Sequence, residues 1–227
     1  MIEPSAIDGV NLWEVPNVWK GETLIIVAPG PSAEKYNNNA LLPYKEEARI
    51  IAVNDAYKLV PFADVLYGCD WWWWQKRKMV PEFDGLKIGL TYEGITGLPY
   101  SGWAGSKEKD QLSYQLASTG KEGLELEDKR AVRTGQNSGY QAINLAVNLG
   151  ADRIILLGFD MKSGKDKEHF WGDYEDHPNP NKGLYKSWLK NFKTMVKPLE
   201  KAGVQVINCT EGSALKCFPM CELERAI

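Results

Sequence analysis

The chain has 227 residues, a formal net charge of −3 and a pI near 5.6, with 44% hydrophobic and 25% charged residues. That length suffices for one core that needs neither disulfides nor metal, and the acidic balance argues against nucleic-acid binding by general backbone neutralisation while leaving room for a local basic patch. No charged-then-apolar leader opens the sequence, and no run approaches the roughly 18 apolar residues of a membrane span, so a soluble, cytosolic protein is expected.

In chain order, Glu22 to Ala28 (ETLIIVA) is a short apolar run ending in Pro-Gly-Pro-Ser, which predicts a buried strand entering a tight loop. Arg49 to Asn54, Ala63 to Asp70 and Leu86 to Thr91 predict three more strands. Directly after the third come four consecutive tryptophans, Trp71 to Trp74, then a basic cluster. With Asp70 as a helix cap, Trp71 and Trp74 fall on one side at i, i+3, and Asp70 with Trp71 is expected to border a ligand pocket. From about residue 92 to 133 the sequence is rich in Gly, Ser and charge without a sustained period, which predicts an insertion or lid.

Periodicity resumes at Ser138, which can cap a helix whose apolar stripe is Ala142, Ile143, Leu145, Ala146 and Leu149, ended by Gly150. Ile154 to Gly158 is a buried strand leading to Asp160, and a helix over Leu184 to Ala202 is followed by a strand over Val204 to Thr210. Near-continuous apolar strands alternating with helices predict an α/β, Rossmann-like, doubly wound and mostly parallel sheet forming one domain over 1–227.

Ligands of such sheets bind at the carboxyl ends of the strands. Gly30, Pro31, Ser32, Asn54, Asp55, Asp70, Asp160 and the Asn208 to Thr210 end occupy that rim. The first loop matches neither GxGxxG nor a P-loop, which disfavours hydride transfer and ordinary P-loop phosphoryl transfer. It can still offer the backbone N–H groups of Gly30, Ser32 and Ala33 to an anion. The segment from His169 to Gly183 brings His169, Asp173, Asp176 and His177 within nine residues. A general base, a metal site and a solvated loop are its three readings; the chain's only two histidines lie here. The four cysteines lack paired CxxC spacing, so free thiols are expected rather than zinc.

The blocks LIIVAPGPSA, IIAVNDAY, NSGYQAINLAVNLGADRIILLGFDM and HFWGD, in that order, resemble the bacterial sialyltransferases that use CMP-activated sugars. They are similar also to the motility accessory factors that glycosylate flagellin, the 6-hydroxymethylpterin pyrophosphokinases and phage-borne proteins of this length. The resemblance implies a nucleotide-activated donor held by Gly30, Pro31, Ser32 and Asn54. It also implies a helix start at Asn137, Ser138 and Gly139, with Arg133 before it, facing the donor phosphate. His169 or His177 would be the general base, and Tyr174 or Tyr185 would assist phosphate departure. Pro29 stands where the transferases carry Asn, so the resemblance does not transfer the identity of the sugar. The transferase reading implies no cofactor. The pyrophosphokinase reading implies ATP with Mg2+ on Asp55, Asp70 and Asp160, and a third reading is a non-catalytic nucleotide or sugar binder. A homo-oligomer is compatible with each, and the host cytoplasm is the expected location if the chain is phage-encoded.

Overall fold

In a computed structural model, residues 5–7, 10–91 and 114–227 are described. Eight strands form one wholly parallel sheet: β3 (Thr23–Val27), β4 (Ala48–Val53), β5 (Val65–Gly68), β6 (Leu86–Leu90), β7 (Tyr114–Ser118), β8 (Ala131–Val132), β9 (Arg153–Leu157) and β10 (Gln205–Asn208). Their spatial order is β10-β9-β3-β4-β5-β6-β7-β8. A small antiparallel hairpin of β1 (Ser5–Ile7) and β2 (Val10–Leu12) precedes them. The hairpin leads into Trp13, which donates its backbone N–H to the Gln115 carbonyl at 2.9 Å and stacks on Tyr114.

The apolar runs are continuous because both faces of the sheet are covered. Leu24, Ile26, Ile51, Val53, Val65, Tyr67, Ile154 and Leu156 enter one core, while Ile25, Val27, Ile50, Ala52, Leu66, Ile155 and Leu157 enter the other. This is the period-two alternation of a strand with no solvent face. The fold is therefore the expected Rossmann-like α/β arrangement. The chain winds outward from β3 to β8, then returns to place β9 on the opposite side of β3. The crevice between the carboxyl ends of β3 and β9 is the switch point, where such sheets hold ligands.

Among the described residues the α-helices are α1 (Asn38–Leu41), α2 (Trp71–Lys76), α3 (Ser138–Leu149), α4 (Lys182–Lys193), α5 (Val196–Ala202) and α6 (Leu223–Ala226). α3 differs from the expected stripe: all twelve of its residues are buried. Its polar side serves the segment before it. Asn144 accepts the N–H groups of Glu125 and Arg133 and donates to the Glu125 carbonyl, while Asn148 donates to the Ala131 carbonyl. Of the expected insertion at 92–133, residues 92–113 lie outside the described residues; the remainder supplies β7 and β8 to the sheet edge and this cover for α3. The helix expected over Leu184 to Ala202 is two helices, interrupted at Thr194 and Met195, whose N–H groups make i−3 bonds to Asn191 and Phe192. Pro198 explains the break, because its ring excludes the carbonyl of residue 194 from a continuous helix.

Candidate functional site

At the strand carboxyl ends lies a cavity of about 970 Å³, within the size range of small-molecule sites. The β3 and β4 ends contribute Gly30, Pro31 and Asn54; the β5 end and α2 contribute Asp70, Trp72 and Trp73. Asn137, Ser138 and Gly139 line it from the start of α3, and Asp160 from the β9 end. His169, Tyr174 and His177 come from the following loop, and Tyr185 and Trp188 from α4. Twelve expected residues, Tyr174 and Tyr185 among them, thus converge, whereas Ser32, Asp55, Trp71 and Arg133 are not part of the lining.

The switch point is closed by the protein itself. Gly30 N–H donates to the Gly158 carbonyl at 3.1 Å and Ala33 N–H to the Gly30 carbonyl at 2.9 Å. Ser32 donates its N–H to both Asp160 carboxylate oxygens at 3.3 Å and its Oγ to Oδ2 at 2.8 Å. The expectation that this loop offers its amides to an anion is therefore corrected, because an internal carboxylate already takes that place. Gly30 is required here: a side chain would overlap the Asp160 carboxylate and the Gly158 carbonyl.

Asp55 is also an internal group. It is fully buried, accepts from Trp73 Nε1 at 2.7 Å and Tyr174 OH at 3.2 Å, and pairs with Lys58 and Arg77 at 2.7 Å each. Burial raises its pKa, but the bonds from Arg77, Lys58 and Trp73 outweigh that and hold it below the ordinary aspartate value. Both its oxygens are occupied, so the expected ligand role is corrected to that of an anchor for α2 and the Tyr174 loop.

Asn54, just before it, behaves differently. Its φ of 48° places it in the left-handed region, which asparagine tolerates better than most residues. Its Oδ1 is buried without a hydrogen-bond partner and lies beside Gly68. Two further cavity residues, Gln136 and Met161, share positive φ, so strained backbone clusters on this rim.

Asp70 occupies the N-cap position of α2 without capping it by its side chain, and it is exposed at the cavity. The tryptophans that reach the site are Trp72 and Trp73, not Trp71. Trp73 and Trp74 are anchored inward by hydrogen bonds to Asp55 Oδ2 and to the Gly68 carbonyl, the latter at 2.9 Å, which fixes the rotation of this one-and-a-half-turn helix. Trp72 is thereby presented outward, where His177 stacks on it with ring centroids 4.0 Å apart.

His169 stacks on Trp171 at 4.5 Å, and its Nε2 is buried without a hydrogen-bond partner. Burial lowers its pKa, against the pull of Asp55, Asp173 and Glu168, so the ring is neutral near pH 7. His177 is exposed at the same cavity. The two tyrosines keep their protons: burial and the neighbouring carboxylates raise both pKa values, with Tyr174 donating to Asp55 and Tyr185 to Glu168 at 2.8 Å.

At the α3 start, Asn137 Oδ1 caps by accepting from Tyr140 N–H at 3.1 Å, and Ser138 Oγ lies 3.0 Å from Cys69 Sγ. Gly139 permits close approach to Phe159, whose ring a Cβ would meet at 2.7 Å. Arg133, expected to hold a phosphate here, instead donates to the Thr119 carbonyl at 2.9 Å and pairs with Glu125 at 3.2 Å. The cation on this wall is Lys121, beside Thr119 and Gly120. It was missed because it lies in the aperiodic, charge-rich stretch; Trp188 and Trp72 carried a signal only as aromatics three residues from, or next to, residues singled out.

Among the described residues no group of three or more His, Cys, Asp or Glu is placed to hold a metal, and no helix is long and apolar enough to cross a membrane. No family model, curated protein or solved structure matches the chain.

Proposed function

We propose that this protein is a nucleotide-sugar-dependent glycosyltransferase that uses His169 as general base. One observation carries the reading: a neutral, half-buried imidazole with a buried, unpartnered Nε2 lines the same cavity as the amide end of α3 and Lys121. The resemblance of four sequence blocks to transferases that use CMP-activated sugars supports the same chemistry.

Donor phosphate sits against the positive end of α3 and the Lys121 ammonium, which hold it and take up charge as it leaves. Trp72 offers an aromatic surface to the base or sugar, and Asn54 Oδ1 accepts a hydrogen bond from a sugar hydroxyl. His169 Nε2 removes the proton of the acceptor hydroxyl as its oxygen bonds to the anomeric carbon. The bond from that carbon to the phosphate oxygen breaks, and its electron pair departs with the nucleotide. General-base assistance of this kind contributes about 10²- to 10⁴-fold.

The pyrophosphokinase alternative requires carboxylates for Mg2+. Asp55 is consumed by four internal partners and Asp160 is engaged by Ser32, leaving Asp70 as the remaining one of the three. That donor set does not fit a Mg2+ site. Release of nucleotide from CMP-, UDP- and GDP-sugars, with water as the fallback acceptor, tests the transferase. Turnover of one donor that falls at least about 100-fold in His169→Gln is expected. Tight binding of a nucleotide with no turnover would instead identify a non-catalytic binder.

A further inference from the structure

A second concavity, of about 900 Å³, opens beside the cavity and shares Met161 and Tyr185 with it. Its wall carries Lys162, Lys182, Lys186, Lys190 and Lys193 and no Asp or Glu. Four of these follow i, i+4, i+8, i+11 along α4, which places them on one side of the helix over about 16 Å. All five are exposed, and none forms an ion pair among the described residues; Lys162 Nζ donates to the Gly212 carbonyl at 2.6 Å. Most other basic groups near the site are neutralised: Lys58 and Arg77 by Asp55, Lys76 by Asp176, Lys167 by Glu34.

An uncompensated row of five cations in a chain of net charge −3 is a local field, costly in self-repulsion unless an anion completes it. All five are lysines rather than arginines, which suits point charges along a flexible, hydrated anion rather than bidentate grip on one group. The groove is concave, meets the cavity at an aromatic ring, Tyr185, and takes four of its five charges from one helix instead of a broad basic face. These features favour a slender acidic oligosaccharide over nucleic acid.

We propose that this lysine groove binds an acidic oligosaccharide, the charged extension of the acceptor whose reacting hydroxyl enters the cavity past Tyr185. The acceptor role rests on the transferase reading; binding in the groove does not.

The test uses the full chain and fluorescence anisotropy of a labelled oligogalacturonate hexamer, with an uncharged hexasaccharide and a single-stranded oligonucleotide of equal charge as parallel arms. The acidic hexamer is expected to bind best, with affinity that falls as salt rises. Lys182→Gln/Lys186→Gln/Lys190→Gln/Lys193→Gln should weaken it roughly 10- to 100-fold, about 1.4–2.8 kcal/mol over the four exposed charge contacts together. The variant's melting temperature should not fall, since relief of like-charge repulsion can only raise it, and its thermal response to nucleotides should be unchanged. Equal binding of the neutral hexamer, tighter binding of the oligonucleotide, or an unaffected variant would each overturn the proposal. Hexamer binding without response to any nucleotide would uphold the groove and overturn the transferase reading alone.

Discussion

Asp55 and His169 illustrate two opposite uses of burial, one in which every polar atom is matched by the protein and one in which a reactive atom is left over. Replacing Asp55 by Asn leaves Lys58 and Arg77 without their shared counter-charge. Loss of about 3–5 kcal/mol in chemical denaturation is expected, as for other broken buried pairs. Because its folded pKa lies below the unfolded one, Asp55 contributes stability that is fully present above the ordinary aspartate value and lost as pH falls through the folded value. The gap between wild type and Asp55→Asn should therefore narrow below about pH 4.

In the proposed transferase His169 acts in its neutral form, which its depressed pKa favours. The acidic limb of the pH–rate profile should then lie below the ordinary histidine value of about 6.5, with a flat rate from pH 7 to 8. A limb centred above 7 would exclude His169 as the base. On the opposite wall, Lys121→Ala should weaken nucleotide binding about 10-fold without changing the melting temperature, as loss of a charge-assisted contact does. Arg133→Ala should lower the melting temperature, because Arg133 ties Thr119 to Glu125.

At the scale of elements, α3 depends on a glycine where it meets the end of β9. Gly139→Ala puts a methyl into the Phe159 ring and should cost about 1–3 kcal/mol in denaturation, as overpacking does. The strands and this helix were legible in the sequence because their patterns are set by burial on both faces: each apolar run maps onto alternating sides of the sheet. β7 and β8 were not, since four of the five β7 residues are partly exposed and β8 is only two residues long, so neither shows a period. The break before α5 was written in Pro198 and went unread. The site was legible as a rim of strand ends. Which rim groups face the ligand was not, because the pairing of Ser32 with Asp160 spans 128 residues and that of Asp55 with Tyr174 spans 119. Likewise the outward ring of the tryptophan run followed from two indole hydrogen bonds, to Asp55 and to the Gly68 carbonyl, that no helical spacing specifies.

For the whole molecule, the order β10-β9-β3-β4 sets a switch point whose base is sealed by Gly30, Ser32 and Asp160, and the open cavity lies above it, between α2, the start of α3 and α4. That arrangement places the start of α3 with Lys121, the Trp72 ring and His169 on separate elements around one volume, which suits the proposed donor with its phosphate, base and sugar. The central claim is that this volume takes a nucleotide. Thermal unfolding in the presence of CMP, UDP, GDP, ADP and ATP, each with and without Mg2+, tests it most directly. At 100 times its dissociation constant, the matching nucleotide should stabilise the protein by about 2.7 kcal/mol, and omission of Mg2+ should not matter. No shift with any of the five, or a shift only with ATP and Mg2+, would contradict the account.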